Sequence, residues 1–265
     1  MSQPSETLDT GEAVRSPASV LRFEPASRRI RAFLAGAAIA DSRDAQLVLE
    51  GNGIPVVYFP ADDVRMDLME PTDRQTHCRH KGDASYWSIH VGKATAKNAA
   101  WSYKEPIPQA EKIRGQIAFY WDKMDSWFEE DDEVFAHPRH PFHRVDVIHS
   151  SRDVRVVVNG ETVAETTRPR LLFETLLPTR YYMPKLDVRM ECLQPSETVT
   201  RCPYKGKATY FDVIVGGEVL KDLAWVYENP IPECPKIENL ICFFNEKVDI
   251  YVDGELSEAP KSRWS

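Results

Sequence analysis

The residues best equipped for chemistry lie in Thr76-His77-Cys78-Arg79-His80-Lys81-Gly82-Asp83-Ala84-Ser85-Tyr86 and again in Thr200-Arg201-Cys202-Pro203-Tyr204-Lys205-Gly206-Lys207-Ala208-Thr209-Tyr210. Each stretch sets a cysteine three residues ahead of a Lys-Gly pair and runs on into a strand-like segment. The thiolate is the reactive form of cysteine, and neighbouring positive charge favours it. Cys78 and Cys202 are therefore the candidate nucleophiles, with Lys81 and Lys205 as electrostatic partners or amine nucleophiles. The competing structural reading makes each cysteine a small buried filler and each lysine a surface group beside a turn.

The surroundings of these turns are duplicated too. A shift of 124 positions lays Tyr58 on Tyr182, Pro60 on Pro184, and Val64-Arg65-Met66 on Val188-Arg189-Met190. It also lays Ala100-Trp101 on Ala224-Trp225, Tyr103 on Tyr227, and Pro106-Ile107-Pro108 on Pro230-Ile231-Pro232. Copies of this length are domains rather than the short units of a solenoid. The expected organisation is a flexible N-terminal arm over 1–19, a first β domain over 20–130, a linker over 131–151, a second β domain over 152–257 and a tail over 258–265.

Short strand-like runs dominate both copies, with almost no sustained helical period. Arg29 to Leu34 can pair with Ala38 to Asp41 across Ala35-Gly36, and Val154 to Val158 with Thr162 to Glu165 across Asn159-Gly160, a dipeptide suited to the positive backbone angles of a type I′ hairpin. Further strands are expected at Gln46 to Glu50, Val56 to Phe59 and Val64 to Met69, with twins at Leu171 to Glu174, Arg180 to Met183 and Val188 to Cys192. After each Lys-Gly turn one face carries Trp87, Ile89 and Val91, or Phe211, Val213 and Val215, as core. The other face begins with Tyr86 or Tyr210. The Pro-Ile-Pro segments end strands and admit at most a short helix.

Several recurring residues could line a ligand site: Tyr58, Arg65, Tyr86, Trp101 and Tyr103 in the first copy, and Tyr182, Arg189, Tyr210, Trp225 and Tyr227 in the second. A charged side chain inside a strand needs water, a carboxylate or an anionic ligand. For Arg65 and Arg189 the recurring Glu50 and Glu174 are the candidate carboxylates. Aromatic residues at strand spacing serve equally as core or as pocket wall.

Composition excludes several classes. A net charge of -8 with both signs interspersed argues against a nucleic-acid partner. No apolar run approaches the roughly 20 residues of a membrane helix, and the polar start has no signal-peptide pattern, so a cytoplasmic setting is expected. Five cysteines, an odd number, read as reduced thiols. His137, His140, His143 and His149 match no structural zinc spacing and are interrupted by proline, which favours a solvated or docked linker. No metal or other cofactor is expected.

With these motifs assembled, the chain resembles proteins carrying a tandem pair of the domain of unknown function 427. The resemblance rests on Tyr58-Phe59-Pro60, Val64-Arg65-Met66-Asp67, Cys78 with Lys81-Gly82-Asp83-Ala84, Ala100-Trp101-Ser102-Tyr103 and Ala118-Phe119-Tyr120-Trp121, and on Cys202-Pro203-Tyr204-Lys205-Gly206 and Phe243-Phe244-Asn245-Glu246-Lys247 in the second copy. It implies two compact, mainly β domains similar to the Mss4-like or β-tent group. Zinc-binding relatives of that shape use Cys-x-x-Cys knuckles, which both copies lack. Similar domains are sometimes labelled nucleotidyltransferase, a chemistry that needs closely spaced carboxylates around magnesium; Asp62-Asp63 is the nearest candidate, and its twin is Leu186-Asp187.

Three functions fit the sequence. The first is a small-molecule binding protein with one pocket per domain for a polar or anionic metabolite. The second is an enzyme using Cys202 or Lys205, or Cys78 or Lys81, on a small metabolite, nucleotidyl transfer included. The third is an interaction scaffold.

Overall fold

The computed structural model describes residues 21–51 and 53–262, so the expected N-terminal arm and the last three residues of the tail lie outside the described residues. The chain divides into two compact units, 1–133 and 134–265. Both are mainly β, with only short 3₁₀ turns as helical structure among the described residues, and none of their helices is long and apolar enough to cross a membrane.

The first unit contains β1 (Leu21–Pro25), β2 (Ile30–Leu34), β3 (Ala37–Ser42), β4 (Gln46–Glu50), β5 (Val56–Phe59), β6 (Met69–Cys78), β7 (Gly82–Val91), β8 (Ala94–Ser102), β9 (Ile117–Phe119), β10 (Ser126–Glu129) and β11 (Asp132–Glu133). They form a seven-stranded sheet in the order β1-β4-β5-β9-β8-β7-β6 and a four-stranded sheet in the order β11-β10-β2-β3. The second unit repeats this with β12 (Val145–His149), β13 (Val154–Val158), β14 (Glu161–Thr166), β15 (Arg170–Glu174), β16 (Arg180–Pro184), β17 (Leu193–Cys202), β18 (Gly206–Val215), β19 (Glu218–Val226), β20 (Leu240–Phe243), β21 (Asp249–Val252) and β22 (Glu255–Leu256). Its sheets run β12-β15-β16-β20-β19-β18-β17 and β14-β13-β21-β22. Two stretches of the interval read as linker are thus strands: β11 pairs with β10, and β12 pairs with β15.

The main core of each unit lies between its two sheets. Ala32, Ile39, Phe59, Ile89, Ala100 and Phe119 pack together in the first, and Val156, Val163, Met183, Val213, Ala224 and Phe243 in the second. The alternation read after each Lys-Gly turn holds: Trp87 and Ile89 enter this core, whereas Tyr86 joins a second cluster with Tyr58, Tyr103, Ala110 and Ile113. That second cluster sits on the sheet's outer face, because neighbouring strand residues point to opposite sides. Ala35-Gly36 and Asn159-Gly160 take φ of 48° and 78°, and 48° and 82°, the doubly positive pair that closes a two-residue hairpin.

One expected strand does not form. Val64 makes an isolated bridge to Ala40, Met66–Leu68 is a 3₁₀ turn, and β6 begins only at Met69; Val188, Met190–Cys192 and Leu193 behave identically. Arg65 and Arg189 have ψ of 71° and 82°, which turns the chain out of the extended path.

The units solve one packing position differently. In the first, Trp121 stacks on Trp127 with ring centroids 4.4 Å apart. In the second, Asn245 stands at the position of Trp121, and a buried Arg180 bonds Asn245 Oδ1 and donates twice to Glu246 at 2.6 Å, its guanidinium 5.6 Å from the Trp225 ring.

Candidate functional site

Each Cys-x-x-Lys-Gly stretch is the tight connection between the last two strands of its seven-stranded sheet. In the first unit Cys78 ends β6, the Lys81 N–H donates to the Cys78 carbonyl at 3.1 Å, and Gly82 opens β7. Gly82 and Gly206 have φ of 100° and 106°, and a Cβ at Gly206 would lie 3.2 Å from the backbone nitrogen of Ile231. Glycine is required there by both angle and space. The Ile107 and Ile231 N–H groups donate to the Lys81 and Lys205 carbonyls at 3.2 and 3.1 Å, so each Pro-Ile-Pro segment braces its turn.

The lysines are not surface groups. Lys81 and Lys205 are buried, and their ammonium groups meet the glutamates that end β4 and β15. Lys81 Nζ donates to Glu50 Oε2 at 2.7 Å, and Lys205 Nζ donates to Glu174 Oε2. These glutamates are the carboxylates expected from the sequence for Arg65 and Arg189. The arginines instead meet nearby carboxylates, Arg65 forking onto Asp67 at 2.7 Å and Arg189 Nε donating to Glu191 at 3.0 Å, beside β3 and β14 and with Arg65 55% exposed. They belong to the four-stranded side of each unit and do not join the lysine. The missed signal was the repeat itself, since Glu50 with Lys81 and Glu174 with Lys205 recur at one common shift.

The tyrosines and tryptophans do gather around the turns. Trp101 Nε1 donates to Tyr58 Oη at 3.2 Å, and Trp225 Nε1 to Tyr182 Oη at 3.1 Å. The Tyr86 hydroxyl pairs with Thr76 at 2.9 Å, as Tyr210 does with Thr200 at 3.0 Å. Tyr120, which sequence reading did not single out as a site residue, stacks obliquely 4.6 Å from Trp101, and Phe244 takes its place against Trp225. Burial drives the Tyr58, Tyr103, Tyr182 and Tyr227 phenols well above their ordinary range, so all four stay neutral. Cys78 is half-buried against this cluster, and Cys202 is likewise half-buried at the end of β17.

Glu174 is buried, which alone would raise its carboxyl; the hydrogen bond from His143 and the charge of Lys205 outweigh that and hold it below the usual glutamate range. His143 Nε2 lies 3.0 Å from Glu174 Oε1, and its ring stacks 4.0 Å over Tyr204. Among the described residues no group of three or more His, Cys, Asp or Glu side chains could hold a metal ion.

Two surface clefts lie away from this cluster. One of about 360 Å³ is lined by Arg29, Asp41, Arg43, Asp44 and Asp63, and one of about 280 Å³ by residues including Thr179, Tyr181, Asn245 and Ser257. The first is charged, open and without aromatic rings, and the second holds no residue of the Lys-Gly turn. Neither is reproduced by the duplicated residues, so the outer-face cluster remains the stronger candidate.

Fold and site together define a tandem of two similar β domains, each carrying a Lys–Glu pair and an aromatic cluster on the outer face of its larger sheet. The chain belongs to the family described as Domain of unknown function (DUF427), whose model matches it twice, over residues 22–130 and 146–254. No curated protein matches it.

Proposed function

We propose that the protein binds a small polar metabolite, with a site in each unit at the Cys-x-x-Lys-Gly turn. The observation that carries this reading is the position of the cluster. Tyr58, Tyr86, Tyr103 and Trp101 with Lys81 and Glu50 lie outside the inter-sheet core that stabilises the unit, and the same set recurs around Lys205. The cluster sets a Lys–Glu pair and tyrosine hydroxyls against an apolar wall, the mix of surfaces that ligand sites use. Half-buried Cys78, Trp101 and Tyr120 give that assembly an accessible margin.

Binding is favoured over covalent catalysis through lysine, because each ammonium already donates to a carboxylate. Five free cysteines suit a reducing, cytoplasmic setting, which forms part of the same proposal. The test is a thermal-shift screen of polar metabolites on the full chain, repeated on Lys81→Met and Tyr86→Phe. A ligand that binds only the folded state raises its melting temperature by mass action. The expected result is a hit whose shift is reduced in these variants, which disable only the first unit's site; a broad library that leaves the parent unmoved sinks the reading.

A further inference from the structure

We infer that the first unit's site selects a small planar nitrogen heterocycle bearing an N–H donor, and that His143 is the second unit's own occupant of the equivalent position. The inference rests on the binding reading above and narrows it to a ligand class.

The second unit shows what its site accepts. Both oxygens of Glu174 are engaged, Oε2 by Lys205 and Oε1 by the imidazole of His143 at 3.0 Å. The same imidazole lies flat on Tyr204, a residue of the Cys-x-x-Lys turn, with centroids 4.0 Å apart and planes 22° from parallel. The segment bearing it is fastened along its length. The His140 N–H donates to Tyr204 Oη at 2.6 Å, Arg139 pairs with Glu233 at 3.0 Å, and Arg201 sits 4.2 Å over the Phe135 ring. Under this strap only 6% of the Glu174 side chain is exposed.

The first unit keeps the receptor half of this arrangement. Glu50 Oε2 accepts from Lys81 as Glu174 Oε2 accepts from Lys205, but Glu50 Oε1 has no hydrogen-bond partner among the described residues, and 42% of the side chain is exposed. His80 stands at the position of Tyr204, half-buried and fixed by the 2.8 Å bond from Arg79 Nε to its Nε2. With His80 at the position that Tyr204 holds beside Glu174, an open carboxylate oxygen and a planar ring favour a flat ligand that donates an N–H while stacking, and a cationic ring gains a charge-assisted bond. An anionic ligand would meet the open oxygen of Glu50 with like charge. Of the polar and anionic metabolites compatible with the sequence, the geometry points to the former, with imidazole, aminopyrimidine or purine-type rings as the class.

The experiment is an NMR titration of the full chain, following backbone amides, with imidazole as probe and thiazole as the flat control lacking an N–H. In the parent, imidazole is expected to shift amides around Lys81, Gly82 and Tyr86 and to leave those around Lys205 unmoved, with thiazole at least tenfold weaker. His143→Ala is expected to add a second set around Lys205, Gly206 and Tyr210. Should that variant fail to fold, Glu50→Gln gives an independent arm, in which first-unit affinity for imidazole falls at least tenfold. Imidazole acting equally on both units of the parent, or thiazole matching it, overturns the inference. A screening hit that engages the first unit without any N–H overturns the ligand class while leaving the binding reading intact; no hit of any kind sinks both.

Discussion

Replacing Lys205 by methionine should cost far more than the same change at Lys81, although the two lysines occupy equivalent turns. Methionine keeps most of the apolar stem and removes the ammonium. What differs is the glutamate left behind. Glu174 has 6% of its side chain exposed, whereas Glu50 has 42% and can turn its carboxylate to water. Breaking a buried pair by removing one partner costs about 3–5 kcal/mol, and the surviving His143 bond puts Lys205→Met near the lower end; loss of a pair whose acceptor can be resolvated costs about 1 kcal/mol or less. At roughly 3–5 °C per kcal/mol for a unit of this size, the second unit should melt roughly 10 °C lower in Lys205→Met, and the first unit at most about 5 °C lower in Lys81→Met. Differential scanning calorimetry of the full chain measures both. The sign with pH follows from Glu174, whose folded pKa is depressed: its contribution is present above the unfolded glutamate value of about 4.3 and is lost as pH falls through the lower folded value. The gap between parent and Lys205→Met should therefore be full at pH 7 and shrink below about pH 4. Equal losses in the two variants, or a gap that persists in acid while the protein remains folded, would refute the reasoning.

Two further outcomes are expected. Cys78 and Cys202 should react with a thiol reagent at pH 8 in the folded protein, whereas Cys192, Cys234 and Cys242 should react only after unfolding, because burial pushes the Cys234 and Cys242 thiols up to about 11 and about 12; counting released thiolate with and without guanidinium decides this. Gly206→Ala should lower second-unit stability by about 1–3 kcal/mol through its positive φ and the close Ile231 nitrogen, while Gly36→Ala, with nothing within 4 Å of the added carbon, should cost about 1 kcal/mol; urea unfolding of each compares them.

Local chemistry was readable in the sequence wherever the cause was local. Asn159-Gly160 announced its hairpin because few other dipeptides take two positive φ angles cheaply, and the alternation from Tyr86 to Val91 announced which face meets the core. The stretch from Val64 to Met69 misled because its apolar residues satisfy strand spacing while the backbone turns at Arg65. The Lys81–Glu50 pair joins residues 31 positions apart through strand order β4-β5-β9-β8-β7, and no periodicity in either segment reports that order. Likewise, the histidine-rich interval between the repeats gave no spacing that would place His143 against Glu174; only the fold brings them together.

The exchange of stacked Trp121 and Trp127 for Arg180, Asn245 and Glu246 bears on how the two halves of the chain can vary. Changing Arg180 toward its first-unit counterpart, Val56, strands the buried carboxylate of Glu246, whose own counterpart is the carboxylate Asp122, at a cost of several kcal/mol. Reversion therefore requires coordinated substitutions, and the position acts as a ratchet. Once the halves had parted there, a crossover that joins β16 to the first half's partners would set Arg180 beside Trp121 and the exposed Asp122 in place of Asn245 and the buried Glu246.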